Sequence, residues 1–150
     1  MSLETEVMSL MKDAMKNKDE AMLRGLRAIK AEIIKAKTDP GANGEISADT
    51  ELKLLQKLVK QRKDSLAIYE QQSRPDLAVK ESEEIAIIEK FLPAQMSEED
   101  VKAAVQAIIT ELGASGPQDL GKVMGVATKQ LAGQADGKII SAIAKSLLTA

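Results

Sequence analysis

The stretch Ala48-Asp-Thr-Glu-Leu-Lys-Leu-Leu-Gln-Lys-Leu-Val-Lys-Gln-Arg-Lys-Asp-Ser-Leu-Ala-Ile-Tyr-Glu-Gln-Gln72 decides the fold class of this chain. Leu52, Leu55, Val59, Leu66 and Tyr69 recur at helical spacing, with Leu54, Leu58 and Ile68 beside them. That is one face of a long helix, not the alternation of a strand. At 1.5 Å per residue the helix would span roughly 37 Å. Ser73-Arg-Pro-Asp76 ends it, because proline is tolerated at a helix start but not inside one.

The same periodicity extends in both directions. Upstream, Val7, Leu10, Met11, Ala14 and Met15 form one stripe, and Met22, Leu23, Leu26, Ile29, Ile33 and Ile34 a second, with a capping break at Asn17 to Asp19. A turn-rich loop follows at Thr38-Asp-Pro-Gly-Ala-Asn-Gly44. Downstream, Leu77, Ile85, Ile88 and Phe91 mark a fourth helix that stops before Pro93. Ser97-Glu-Glu-Asp100 then starts a helix carrying Val101, Val105, Ile108 and Leu112, and Gly113 stops it. Two shorter helices are expected near Pro117 to Leu131 (Leu120, Val123, Met124, Ala127, Leu131) and Gly137 to Leu148 (Ile139, Ile140, Ile143, Leu147, Leu148). The expected architecture is all-α: an N-terminal four-helix region over residues 1–93, a joint at Pro93-Ala-Gln-Met96, and a compact three-helix tail domain over 94–150.

Composition agrees with that fold and removes many chemistries. Phe91 and Tyr69 are the only aromatics among 150 residues, which disfavours a β-sandwich or barrel. A chain of this length can bury roughly 70% of its unfolded surface. There is no cysteine, so disulfides, thiolate metal sites and a cysteine nucleophile are excluded. There is no histidine either, which removes the commonest general base and the imidazole ligands of zinc and di-iron sites. No apolar run is long enough for a membrane span or a signal peptide, so the expected location is cytoplasmic with no membrane partner. No catalytic residue, cofactor or metal is expected; Glu81 and Glu84 share a helix face but lack a histidine partner.

Lys60-Gln-Arg62-Lys63-Asp-Ser65, Tyr69, Arg74-Pro-Asp-Leu-Ala78, Glu81, Glu84, Leu92-Pro93-Ala-Gln95, Gly121-Lys-Val-Met-Gly125 and Ala135-Asp-Gly-Lys138 form an ordered set of motifs. Together they resemble the GatB/YqeY family of bacterial proteins over essentially the whole chain. The resemblance implies a free-standing relative of the C-terminal helical and tail portion of the B subunit of tRNA-dependent amidotransferase, whose tail contacts tRNA. Proline follows Arg74 where the family more usually has a polar residue, and Ser73 stands where glycine is common; both suit a turn. The β-rich catalytic portion of the larger subunit has no counterpart here. The family label of glutamine-dependent carbon–nitrogen ligase activity therefore comes by association, and the chain alone is expected to be non-catalytic.

Two sets of candidate binding residues stand out. Gly121-Lys122 and Gly137-Lys138 fall at predicted helix starts, where the macrodipole disfavours a cation by about 0.3–1 kcal/mol and a bound phosphate would reverse the sign. With Lys129 they form the first set. Gly121 and Gly125, each costing about 1 kcal/mol relative to alanine, imply close approach of something. In the structural reading that something is another helix, with Gly133 as a C-terminal cap and Asp136 as an N-cap; in the functional reading it is an RNA backbone. The stretch is not a Walker-type phosphate loop, which needs G-x-x-x-x-G-K-[ST] after a strand.

The second set is the line Lys53, Lys57, Lys60, continued by Arg62 and Lys63 and flanked by Arg24, Arg27 and Lys30. It either holds phosphates or is a solvated face paired with Glu81, Glu83, Glu84 and Glu89. Arg74 with Asp76 or Glu81 reads as a turn-stabilising cluster. A net charge of −2 and the lack of aromatic stacking platforms point to backbone and shape recognition if RNA binds. The expected partner is tRNA, with a protein docked on the tail as the alternative.

Overall fold

Short polar side chains set the helix starts. Ser2 accepts from the Thr5 amide at 3.2 Å, Asp19 from Met22 at 3.0 Å, Ser47 from Thr50 at 3.1 Å and Ser97 from Asp100 at 3.1 Å, each satisfying an otherwise orphaned N–H. The computed structural model describes residues 2–149, and the chain is all-α: seven α-helices and no strand among those residues. They are α1 (Leu3–Lys16), α2 (Glu20–Thr38), α3 (Ala48–Gln71), α4 (Pro75–Glu89), α5 (Glu98–Leu112), α6 (Leu120–Gln130) and α7 (Gly137–Thr149).

Three helix ends share one device. After α1, α3 and α5 the next turn closes through Asp19 N–H to Ala14 (2.9 Å), Arg74 N–H to Tyr69 (2.8 Å) and Ala114 N–H to Ile109 (3.0 Å). Each is a Schellman pattern that needs a left-handed residue just past the helix. Gly113 fills that place at φ 65° without penalty, whereas Lys18 (φ 55°) and Ser73 (φ 54°) carry a Cβ there, which costs about 1–2 kcal/mol.

The chain divides into two compact units, residues 1–92 and 93–150. In the first, α1 to α4 close around Val7, Leu26, Ile29, Ile33, Leu55 and Ile88, all essentially solvent-free. In the second, α5, α6 and α7 close around Val101, Val105, Ile108, Val123, Ala127, Ile140 and Ala144. Burying each large aliphatic side chain contributes roughly 1.5–3 kcal/mol. No polar or charged residue is fully buried among the described residues.

The periodic stripes differ from the structure at their edges. Met15, Ile34, Ile68, Leu112 and Ile139 are exposed, while Ile87, Ile109 and Ala144 are buried. A stripe fixes the direction of the core to within about one residue position, and tertiary neighbours decide the flanks. Phe91 lies beyond the end of α4 yet still packs on the first core together with Leu92. The helix expected from Pro117 begins instead at Leu120, because Pro117–Asp119 forms a separate 3-10 turn.

Gly25 in the middle of α2 is the glycine that close packing requires. A Cβ built there would lie 2.7 Å from Ile87 Cγ2 and 3.1 Å from Ile87 Cβ, so α4 crosses α2 against bare backbone. Ile87 is β-branched and cannot swing aside freely. Gly25→Ala should therefore destabilise the chain by about 1–3 kcal/mol despite the better helix propensity of alanine. Chemical denaturation checks it, and a stabilised variant would show that α4 can shift at no cost.

Candidate functional site

The two candidate sets of cations meet different fates. In the first unit, Lys53 pairs with Asp49 at 2.9 Å one turn away, Lys57 with Glu32 of α2 at 3.7 Å, Arg62 with Glu84 at 3.6 Å and Lys63 with Glu89 at 3.4 Å. Arg24 reaches Glu83 at 2.6 Å, and Lys37 pairs with Glu4. Of the line Lys53, Lys57, Lys60, only Lys60 has no carboxylate within ion-pairing distance among the described residues. Most of the five cations Lys53, Lys57, Lys60, Arg62 and Lys63 are thus answered by acids on α2 and α4, which sequence distance hides.

These pairs also account for much of the motif set. Arg62 and Glu84 are mostly buried, at 17% and 15% side-chain exposure, and Arg62 also donates to the Leu58 carbonyl at 3.2 Å. Arg62 Nε is itself buried without a hydrogen-bond partner. Arg74 grips Asp76 through two parallel bonds, Nε to Oδ1 at 3.1 Å and Nη2 to Oδ2 at 2.9 Å. That bond is the main reason the Asp76 carboxyl is held below its ordinary range and the Arg74 guanidinium above its own.

Glu81 stands apart. Burial, and then the nearby Glu84 charge, push its carboxyl above the ordinary glutamate range, with Arg62 opposing in part. A carboxyl with a raised pKa in the folded unit binds its proton more tightly there than in the unfolded chain. Stability then rises as pH falls through the glutamate range, the reverse of a salt-bridged acid. Glu81→Gln should accordingly be more stable than the parent at neutral pH, the difference closing once both parental states are protonated. Urea midpoints at neutral and acid pH measure this, and a gap that widens on acidification would contradict it.

The second unit holds the other set. Lys122 lies in the first turn of α6, Lys129 in its last turn and Lys138 in the first turn of α7. All three are exposed, and no carboxylate among the described residues pairs with any of them. Lys122 and Lys129, two helical turns apart, line one open and mainly apolar groove together with Leu112, Gly121, Gly125, Val126 and Gln130. Lys138 is outside that groove.

Gly121 and Gly125 do not serve a helix crossing within the second unit. A Cβ at either would meet nothing within 4 Å, and neither has a left-handed backbone. Spacing alone could not separate this open face from the tight crossing at Gly25. At the start of α7 one of the free amides expected for an anion is already used: Asp136 Oδ1 accepts from the Lys138 N–H at 3.0 Å, and the Asp136 carbonyl accepts the first intrahelical bond, from Ile140 at 3.1 Å. Gly137 follows that cap with open space around it. Gly133 is two residues past the α6 cap, at φ 76° in the turn between the helices.

One contact had no signal in the periodicity. Gln95 Nε2 donates to the Gly133 carbonyl at 2.7 Å and to Pro93 at 2.9 Å, and the Met96 N–H reaches the Gln134 carbonyl at 2.9 Å. The Pro93-to-Met96 segment is thereby tied to the α6–α7 turn, joining two motif stretches far apart in sequence.

No helix among the described residues is long and apolar enough to cross a membrane, and no group of His, Cys, Asp or Glu among them could hold a metal ion. Because Gly121 and Gly125 only lower helix propensity in the isolated chain, Gly121→Ala and Gly125→Ala should each stabilise it by up to about 1 kcal/mol. Thermal unfolding tests the sign, and a loss of stability would mean that the face is covered.

A model of the family described as Yqey-like protein matches residues 4–148. Among curated proteins, the chain is similar to altered inheritance of mitochondria protein 41, mitochondrial, of Clavispora lusitaniae, with 35% identity over 107 residues, 70% of this chain and 61% of the relative. It is also similar to the protein of that name from Kluyveromyces lactis, with 38% identity over 86 residues, 56% of this chain and 43% of the relative. The match thus spans less than two thirds of either relative. Both are named as mitochondrial, which overturns the expectation of a cytoplasmic location. That expectation rested on the lack of long apolar runs, and such a lack does not separate one aqueous compartment from another.

Proposed function

We propose that this chain, which belongs to the Yqey-like protein family, is a non-catalytic module that binds tRNA through the second of its units, in the manner of the amidotransferase tail it resembles. The observation that carries the reading is the contrast between the two cation sets. Lys53, Lys57, Arg62 and Lys63 of the first unit are engaged by carboxylates, Lys60 excepted, whereas Lys122, Lys129 and Lys138 are all exposed with no carboxylate paired to them among the described residues. Cations with no protein counter-charge are the ones free to exchange small counterions for phosphates.

The chemistry of the surface fits a backbone contact. Lysine is a point charge that meets phosphate without base readout, and the second unit has no aromatic side chain on which bases could stack. The open glycine face beside Lys122 lets a bulky strand approach the helix backbone. The half-buried ionisable cluster of Arg62, Glu81 and Glu84 is engaged in packing between α3 and α4, with Arg62 paired to Glu84 at 3.6 Å, and so lends no support to amide-bond formation by the chain alone.

Fluorescence anisotropy with deacylated tRNA over a salt series tests the proposal. The logarithm of affinity should fall linearly with that of salt, and Lys122→Ala, Lys129→Ala and Lys138→Ala should each lower the slope by about 1. Lys53→Ala and Lys57→Ala should leave it unchanged. Binding that ignores salt, or survives all three tail substitutions, would refute it; recovery of a defined protein partner after nuclease treatment would favour the tail as a protein-docking module.

A further inference from the structure

The segment that opens the second unit packs no large side chain of its own at Gln95, yet it is held by three hydrogen bonds. Both protons of the Gln95 amide are used, one on Pro93 at 2.9 Å and one on Gly133 at 2.7 Å. Because both partners are carbonyls, which only accept, the amide has a single orientation, with nitrogen toward the turn. The Met96 N–H adds a third bond, to Gln134 at 2.9 Å. Gly133 itself is buried and left-handed at φ 76°, so its carbonyl direction is set by a backbone conformation that other residues resist.

From Gly133 the constraint runs on to the lysines. The turn between Gln130 and Gly137 is pinned by buried Leu131 and Ala135 and closed by Gln134 N–H to Leu131 at 3.0 Å. The next residue, Asp136, receives the Lys138 and Ile140 amides and so fixes the first turn of α7. Lys129 lies just before this turn and Lys138 just after it.

We infer that Gln95 is a positioning residue for the binding surface: by clamping the Gly133 carbonyl it fixes the α6–α7 turn and hence the separation of Lys129 and Lys138. The inference rests on the RNA reading of those lysines. A surface that binds by point charges gains from having their spacing set in advance, since the ordering cost is met on folding and not on binding. Gln95 needs no contact with the ligand to act in this way.

Gln95→Met keeps the length and apolar stem of the side chain and removes the amide, and with it both donated bonds. It should keep the helical circular dichroism of the parent and weaken tRNA binding by about three- to tenfold, the range that loss of the bond to Gly133 implies. The discriminating measurement is a double-mutant cycle, at a temperature where all variants are folded. Gln95→Met combined with Lys138→Ala should bind no more weakly than Lys138→Ala alone, because the clamp acts through that lysine. Two full losses that add, or a Gln95→Met chain that binds as tightly as the parent, would overturn the inference and leave the RNA reading intact. A parent chain that binds no tRNA at any salt concentration would overturn the RNA reading and the inference together.

Discussion

Gly25 has no Cβ, and the crossing this permits between α2 and α4 sets how deeply α4 lies in the first unit. With Ile87 within 3 Å of where a Cβ would stand, α4 sits low enough for Glu83, Glu84 and Glu89 to reach Arg24, Arg62 and Lys63. The same helix therefore packs an aliphatic core and answers Arg24, Arg62 and Lys63, and it does so without burying any charge completely among the described residues. A family motif that looks like a charged binding surface in one dimension becomes helix-to-helix pairing in three.

The second unit follows other rules. It has no ion pair among its described residues and no aromatic side chain, so its order comes from aliphatic packing, the capping residues Ser97 and Asp136, and the Gln95 clamp. Its lysines carry no ion pair among the described residues, while Asp119 and Asp136 accept backbone amides. Such a unit is structurally complete while its surface lysines remain uncommitted, which is the physical condition for recognising a polyanion. Its glycines show the same split of roles: Gly113 and Gly133 satisfy backbone geometry at positive φ, whereas Gly121 and Gly125 meet no packing partner within the unit.

What could be read from the sequence was local. Helical stripes, the serine and aspartate caps and the Gly113 stop are decided within a few residues, and each identifies its element. What could not be read was whatever depends on an unseen neighbour. Glycine inside a helix reads only as a propensity cost, so nothing local separates Gly25, which contacts Ile87, from the open pair Gly121 and Gly125. Lys57 looked available because its partner Glu32 belongs to another helix, and Gln95 looked like linker because its acceptor, Gly133, is 38 residues away. The compartment was misjudged for a different reason: an aqueous helical surface does not record which aqueous space it occupies.

The Arg74 amide that closes α3 does so on the carbonyl of Tyr69, and that tyrosine is the sole tyrosine in a chain without tryptophan. Phe91, also in the first unit, emits only weakly, so Tyr69 at the end of the longest helix is the useful natural fluorophore. The second unit is optically silent above the peptide absorbance. Tyrosine emission follows the first unit alone, while far-ultraviolet dichroism sums both, so a mismatch between the two signals would reveal that the halves melt independently.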